Sequence, residues 1–274
     1  MARRARLDAE LVRRGHARSR EHAAALITAG KVTVRGMVAG KPATGVAADA
    51  PILVRDEDDP GWASRGAHKL LGALAAFEPR GLSVRGKRCL DAGASTGGFT
   101  DVLLRGGAST VIAADVGRGL LDWRLRSDDR VVVLDKTNVR NLTPELIGGP
   151  VHLIVADLSF ISLRLVLPVL AACALPDADL LPMVKPQFEV GKGRLGSGGV
   201  VREPDLRAAA VLEVLTTARE LGLRTLGVVA SPLPGPSGNV EYFAWLRRAA
   251  TESTLDAMAD LTEQVATAVK EGPQ

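Results

Sequence analysis

Two rhythms of apolar positions run along the chain, and the change between them divides it. Leu7, Leu11 and Val12 recur at helical spacing; after a break at Gly15, Ser19 caps a second helix reaching Ala29, with Gly30 as its stop. Val32-Thr33-Val34 then alternates into an Arg35-Gly36 turn, and Ile52-Leu53-Val54 closes a small α+β unit. The acidic, turn-forming run Asp56-Glu57-Asp58-Asp59-Pro60-Gly61 reads as a linker. The expected organisation is therefore a first domain over 1–59, a linker over 60–66 and a second domain over 67–274. In the second domain Lys69 opens a helix through Leu70, Leu71, Leu74 and Phe77. Short apolar strands follow at 88–91, 110–115, 131–134, 151–157, 180–184, 225–230 and 240–246, with helices clearest at 163–175, 204–221 and 256–270. Seven strands alternating with helices predict an α/β fold with a mainly parallel sheet.

At 274 residues and 46% apolar content the chain can bury a full core. Its longest apolar stretch, 165–175, is broken by Pro168 and falls short of the roughly 20 residues that span a bilayer, so no membrane span is expected. Arg3, Arg4 and Arg6 are followed by Asp8 and Glu10 rather than by an apolar stretch, so no signal peptide is expected and a cytoplasmic location is. Cys89 and Cys173 sit in apolar surroundings and read as buried thiols, and the four histidines are scattered, so no metal site is expected. Charge is unevenly placed. Residues 1–41 hold ten Lys or Arg against three acidic residues, a net +7, whereas the remainder holds 25 basic and 28 acidic residues, a net −3. A polyanion-binding module joined to a near-neutral enzyme accounts for that asymmetry.

Chemistry concentrates in Cys89-Leu90-Asp91-Ala92-Gly93-Ala94-Ser95-Thr96-Gly97-Gly98-Phe99-Thr100, an apolar strand, a glycine-rich turn and a helix start. Gly93, Gly97 and Gly98 let a ligand approach main-chain amides, and Asp115 ends the next strand. A dinucleotide fingerprint wants a second glycine where Ser95 stands, which disfavours NAD. A ligand with a ribose but no pyrophosphate fits better; S-adenosylmethionine is the common one, with Asp115 on its ribose hydroxyls. Ligands of open α/β sheets bind beyond the carboxyl ends of the strands, where Asp91, Asp115, Asp135 to Asn138, Asp157 to Phe160 and Lys185 to Glu189 fall, and Glu241 lies just inside the last strand.

The N-terminal pattern, Arg6-Leu7-Asp8, Gly15, Ser19-Arg20, Gly30, Val32-Thr33-Val34, Gly36 and Lys41-Pro42, resembles the small S4-like RNA-binding domain of pseudouridine synthases and tyrosyl-tRNA synthetases. That resemblance implies phosphate contacts from Arg4, Arg6, Arg14, Arg18, Arg20 and Lys41. The unit holds no aromatic residue, so base stacking cannot drive its binding.

Ser64-Arg65-Gly66, the 90–100 turn, Asp115-Val116-Gly117, Thr137-Asn138-Val139-Arg140, Asp157-Leu158-Ser159-Phe160-Ile161-Ser162-Leu163, Val184-Lys185-Pro186-Gln187-Phe188-Glu189 and Gly238-Asn239-Val240-Glu241 resemble the TlyA family along essentially the whole chain. The resemblance implies a class I, Rossmann-like, FtsJ-like methyltransferase with a seven-stranded sheet behind the small RNA-binding domain. It implies 2′-O-methylation of cytidine ribose in ribosomal RNA or ribosomal subunits, with S-adenosylmethionine as cofactor. Lys69, Asp157, Lys185 and Glu241 match the family's catalytic tetrad. The implied cofactor-binding set is Asp91, Gly93, Ser95, Thr96, Gly97, Gly98, Asp115, Val116, Asp135, Asn138 and Asp157. Ala67 stands where a second glycine usually follows Ser-Arg-Gly, and Pro60-Gly61-Trp62-Ala63 departs from the linker of close relatives.

A ribose hydroxyl is a poor nucleophile, so the protein must align it and accept its proton. Lys185 is the candidate base, with Asp157 and Glu241 orienting the two amines; no metal is needed. A base methyltransferase would carry an Asn-Pro-Pro-aromatic loop or a catalytic cysteine after the fourth strand, and Asp157-Leu158-Ser159-Phe160 is neither. Family members have also been called haemolysins, but no pore-length apolar or amphipathic segment is visible.

Overall fold

The computed structural model describes residues 5–17, 19–47, 50–54, 61–235, 237–249 and 257–273. Contacts divide the chain after Gly61 into two compact units.

The first unit is built on two short helices, α1 (Leu7–Arg13) and α2 (Arg20–Thr28). The Ser19 side chain caps α2 by accepting from the His22 amide. Gly30 follows with φ +70° and stops the helix. Strands β1 (Ala5–Arg6), β2 (Val32–Val34), β3 (Met37–Val38), β4 (Gly45–Val46) and β5 (Ile52–Val54) complete the unit. β1 pairs with β4, and β2 lies between β3 and β5, all antiparallel. The strands β1, β3 and β4, two residues each, were too short for any alternation to announce them. Leu7, Leu11, Ala23, Ile27 and Val32 form the small core.

The second unit has a seven-stranded sheet in the order β11-β12-β10-β9-β6-β7-β8. Its strands are β6 (Arg88–Ala92), β7 (Thr110–Ala114), β8 (Val131–Leu134), β9 (Val151–Ala156), β10 (Ala174–Val184), β11 (Leu223–Ala230) and β12 (Tyr242–Arg248). Only β12 runs against its neighbours. Successive strand residues face opposite sides, so each apolar strand feeds two cores. Cys89, Val111 and Leu153 pack under α3 (Ala67–Phe77) and α4 (Gly98–Arg105), whereas Leu90, Ile112 and Ile154 pack under α6 (Leu167–Cys173), α7 (Pro204–Glu220) and α8 (Met258–Glu271). β6 is flanked by β7 on one side and β9 on the other, which makes the carboxyl end of β6 the switch point where ligands bind.

One expected helix is corrected. The segment 163–175 is a 3₁₀ turn at Leu163–Leu165 followed by α6, and β10 already begins at Ala174 rather than at residue 180. Pro168 supplies no amide hydrogen and favours a new helix start, while Pro176 pushes Leu175 into extended backbone and ends the helix before it. The last strand begins at Tyr242, so Glu241 stands just before it, and α3 begins two residues ahead of Lys69. Helix α5 (Trp123–Arg126), capped by the Asp122 side chain, was not anticipated. Both cysteines are buried and free, and burial pushes the Cys89 thiol up to about 12.

Candidate active site

The glycine turn is held open from below. Asp91, fully buried at the end of β6, accepts a 2.7 Å hydrogen bond from the Thr100 hydroxyl, while its other oxygen has no partner. Burial, helped by the charges of Asp157 and Asp115 and opposed by the Thr100 hydrogen bond, raises this carboxyl to about 7. Gly93 has φ +90°, and a Cβ there would stand 2.6 Å from the Asp157 carbonyl oxygen. Gly97, at φ +98°, starts α4 where a side chain would strike Leu121 and Leu125. Ser95 also adopts a left-handed φ, +48°, and its amide donates to Asp115 Oδ2 at 2.9 Å. The Gly117 amide donates to Asp115 Oδ1 at 2.7 Å. Asp115 is thus aimed by two main-chain amides, and a carboxylate oxygen so engaged still has a lone pair for a hydroxyl.

Beside this turn lies a cavity of about 690 Å³. Gly93, Ser95, Asp115, Val116, Asn138 and Asp157 line it, six of the eleven residues expected to hold the cofactor. Thr96, Gly97 and Gly98 are not in its walls; they shape the helix start, and the Thr96 carbonyl accepts from the Asp122 amide. Asp91 supports the turn from within, and Asp135 is engaged by the Arg126 guanidinium at 3.1 Å. The cavity has a ligand-sized volume, a main-chain cradle that a Cβ at Gly93 would fill, and a preset carboxylate. Those features fit S-adenosylmethionine.

Lys69, Asp157, Lys185 and Glu241 meet although three of them come from different strand ends and the fourth from α3. Lys69 Nζ donates to Glu241 Oε2 at 2.5 Å and lies 3.7 Å from Asp157 Oδ2. Lys185 Nζ is 2.5 Å from Asp157 Oδ1 in an ion pair, donates to the Ser159 hydroxyl at 3.2 Å and lies 3.9 Å from Glu241 Oε1. Each ammonium thus faces both carboxylates. Glu241 is fully buried, Lys69 and Lys185 nearly so, and the Gln187 side chain donates to Glu241 at 3.3 Å. Asp157 belongs both to this quartet and to the cavity wall. β12 makes the arrangement possible: running antiparallel, it delivers Glu241, the residue just ahead of it, to the carboxyl end of β10, where Lys185 follows the strand.

Sequence reasoning missed several neighbours. Leu120, Arg140, Leu158, Ile161 and Leu165 join the cavity wall. Phe160 is noteworthy because it is 91% exposed with φ +64°, its ring 5.2 Å from that of Phe188. Its place in the Asp157-Leu158-Ser159-Phe160 run is its only sequence signal; a left-handed backbone cannot be read from a phenylalanine.

In the first unit, Arg6 and Arg20 both bond Asp8, and Lys41 is exposed. Arg14 is turned inward, 19% exposed, bonding Glu10 and the Ala50 carbonyl. Arg4 and Arg18 lie outside the described residues, as do Pro60 of the expected linker and residues 56–59 of the acidic run before it. Among the described residues no helix is long and apolar enough to cross a membrane, and no group of three or more His, Cys, Asp or Glu is placed to hold a metal ion.

Residues 62–248 match the FtsJ-like methyltransferase family and residues 5–50 the S4 domain. A Mycobacterium tuberculosis protein named 16S/23S rRNA (cytidine-2′-O)-methyltransferase TlyA is 62% identical over 273 residues, covering all of both chains. A Brachyspira hyodysenteriae protein named hemolysin A is 35% identical, over 87% of this chain and 98% of its own. A solved structure from Streptococcus thermophilus, also called a hemolysin, superimposes with a TM-score of 0.78 at 36% identity, over 99% of this chain and 98% of that one.

Proposed function

The chain belongs to the FtsJ-like methyltransferase family, and on that premise we propose that it methylates ribose 2′-hydroxyls of cytidines in ribosomal RNA, with S-adenosylmethionine as methyl donor. The observation that carries this reading is the Lys69-Asp157-Lys185-Glu241 quartet sharing Asp157 with the ligand cavity.

S-adenosylmethionine supplies a methyl group already activated by its positive sulfur. The turn around Gly93 and Ser95 would let it lie close against the main chain, and Asp115, aimed by two amides, would offer acceptors for its ribose hydroxyls. The chain's own work is to align a hydroxyl and take its proton. Lys185 Nζ would take the 2′-hydroxyl proton when in its amine form, and bound S-adenosylmethionine would supply the methyl group, its carbon–sulfur bond breaking with the electron pair left on sulfur as the ribose oxygen takes the carbon. Asp157 fixes the position of Lys185, and Lys69 with Glu241 fixes Asp157 from the opposite side. Asp91, Gly97, Gly98 and Thr96 hold the turn in shape, and Val116 and Asn138 complete the pocket wall. RNA is held by the S4 domain through phosphates, with Arg6, Arg20 and Lys41 among its exposed cations and Arg4 and Arg18 added from the sequence. An enzyme acting on ribosomal RNA works where ribosomes are, in the cytoplasm.

A base methyltransferase needs no pair of lysines clamped between two carboxylates, and a membrane-active protein needs no cavity of this kind. The hemolysin names of two relatives therefore do not displace the reading. Ribose-methylation mapping of ribosomal RNA from cells with and without the gene tests it: new 2′-O-methylcytidine is expected only with the protein present, and identical maps would overturn the proposal.

A further inference from the structure

We propose that Asp8 builds a single phosphate-binding subsite in the N-terminal unit by fixing Arg6 and Arg20 side by side, so that the two guanidiniums share one phosphate of the RNA backbone. The inference rests on the RNA-binding reading of this unit and adds which side chain organises it.

Asp8 is only 4% exposed, whereas the side chains of Arg6 and Arg20 are 51% and 56% exposed. Arg6 grips the carboxylate with two bonds, Nε to Oδ1 at 3.0 Å and Nη2 to Oδ2 at 2.8 Å. Arg20 arrives from α2, twelve residues on, and donates Nη2 to the same Oδ2 at 3.0 Å. Both guanidiniums are therefore within hydrogen-bond reach of one oxygen. Each keeps N–H groups that Asp8 does not use, because a guanidinium carries five in a rigid plane. The Arg6 hydrogen bond, joined by Arg20, holds the Asp8 carboxyl well below the usual carboxylate range, overcoming the opposing effect of burial.

Glu10, equally buried, provides the contrast. It also takes two arginines, but one of them, Arg14, points inward and spends its guanidinium on the Ala50 carbonyl. That pair closes the fold, while the Asp8 pair leaves both cations at the surface. A negative charge beside a phosphate site weakens it unless it does positional work. Here it relieves the repulsion between two neighbouring guanidiniums and orders two long side chains before RNA arrives, so less freedom is lost on binding. Two preset guanidiniums suit the bidentate geometry of one phosphate.

The test measures affinity of the full chain for in vitro transcribed 16S and 23S ribosomal RNA across a range of salt. Asp8→Asn adds one positive charge, so charge alone would tighten binding and steepen the salt dependence. The proposal expects the reverse, about tenfold weaker binding and a shallower slope. Glu10→Gln makes the same charge change in the same unit and should not weaken binding. A second series needs no change at Asp8. Arg6→Gln, Arg20→Gln and the double variant should each lower the log-log slope by the same amount, about 0.7 to 0.9, because one phosphate is lost in every case. Wild-type or tighter binding by folded Asp8→Asn overturns the proposal, as does a double variant that loses about twice the slope of either single. If Asp8→Asn does not fold, the arginine series decides. Should no arginine variant alter affinity or slope, the RNA-binding reading of this unit fails as well, a result distinct from losing the shared subsite alone.

Discussion

Gly93 and Asp157 touch backbone to backbone: a single carbon added to Gly93 would stand 2.6 Å from the Asp157 carbonyl oxygen. The cofactor turn and the strand end that carries the quartet's shared carboxylate are thus one packed unit. Gly93→Ala meets both a steric clash with main chain and an unfavourable left-handed φ, and should cost about 1–3 kcal/mol or more in stability. Calorimetry should find S-adenosylmethionine binding lost. Wild-type affinity in the alanine variant would mean that the ligand sits elsewhere.

Lys185→Ala is expected to slow methyl transfer by about 10² to 10⁴, the usual worth of a general base, with cofactor affinity retained. Lys185→Arg should recover little, since a guanidinium keeps its proton at any usable pH. Single-turnover transfer at saturating RNA and cofactor is the measurement, and near-normal rates in the arginine variant would leave Lys185 with a role in position or charge only.

Glu241 is fully buried against Lys69, and removing one partner of such a pair costs about 3–5 kcal/mol because the other charge is stranded. Glu241→Ala should therefore lower the melting temperature sharply. Lys69→Met combined with Glu241→Leu should restore much of that stability without restoring activity. A double variant no more stable than Glu241→Ala would show that the pair is not coupled in the way the 2.5 Å contact indicates.

Asp91 gives a pH signature. Its folded value is raised to about 7 by burial, against about 4 for an ordinary aspartate, so the folded protein binds this proton more tightly than the unfolded chain. The stability tied to that proton is fully present below about pH 4 and is lost as pH rises towards 7. Asn cannot ionise. Asp91→Asn should accordingly gain on the wild type as pH goes from 5 to 8, read as the difference in melting temperature at each pH. A difference that does not move with pH would remove Asp91 as the titrating group.

Much of this could be read from residues alone. The strands at 88–91, 110–115 and 131–134 announced themselves because each is apolar on both faces and bounded by polar or turn residues. The glycine turn carried its own chemistry, and Ser95 argued against a dinucleotide before any geometry was known. The quartet was not legible from pattern. Lys69 lies on a helix and Glu241 ahead of a strand, and only the resemblance to a family joined them; spatial meeting across antiparallel β12 has no local trace. Residues 163–175 do not form one helix because Pro168 and Pro176 cut the run, and an apolar run looks alike as helix or strand. The surface cations posed the opposite difficulty: Arg6, Arg14 and Arg20 look equivalent in sequence, and only the carbonyl that captures Arg14 separates it from the other two.

Lys69 and Glu241 are 172 positions apart, whereas every part of the glycine turn and its partner Asp115 lies within 89–117. Contacts between distant positions form late, since a long stretch of chain must be closed before they are rewarded. During synthesis the cofactor cradle can assemble with β6 and β7 while β12 is still unmade. A growing chain that has reached Asn239 carries Lys69, Asp157 and Lys185 but leaves β10 an open edge, without the carboxylate that Lys69 faces. The Lys69-Asp157-Lys185-Glu241 quartet is therefore completed only as the last strand of the sheet is made, and a chain stopped short of it is a candidate for aggregation at that edge.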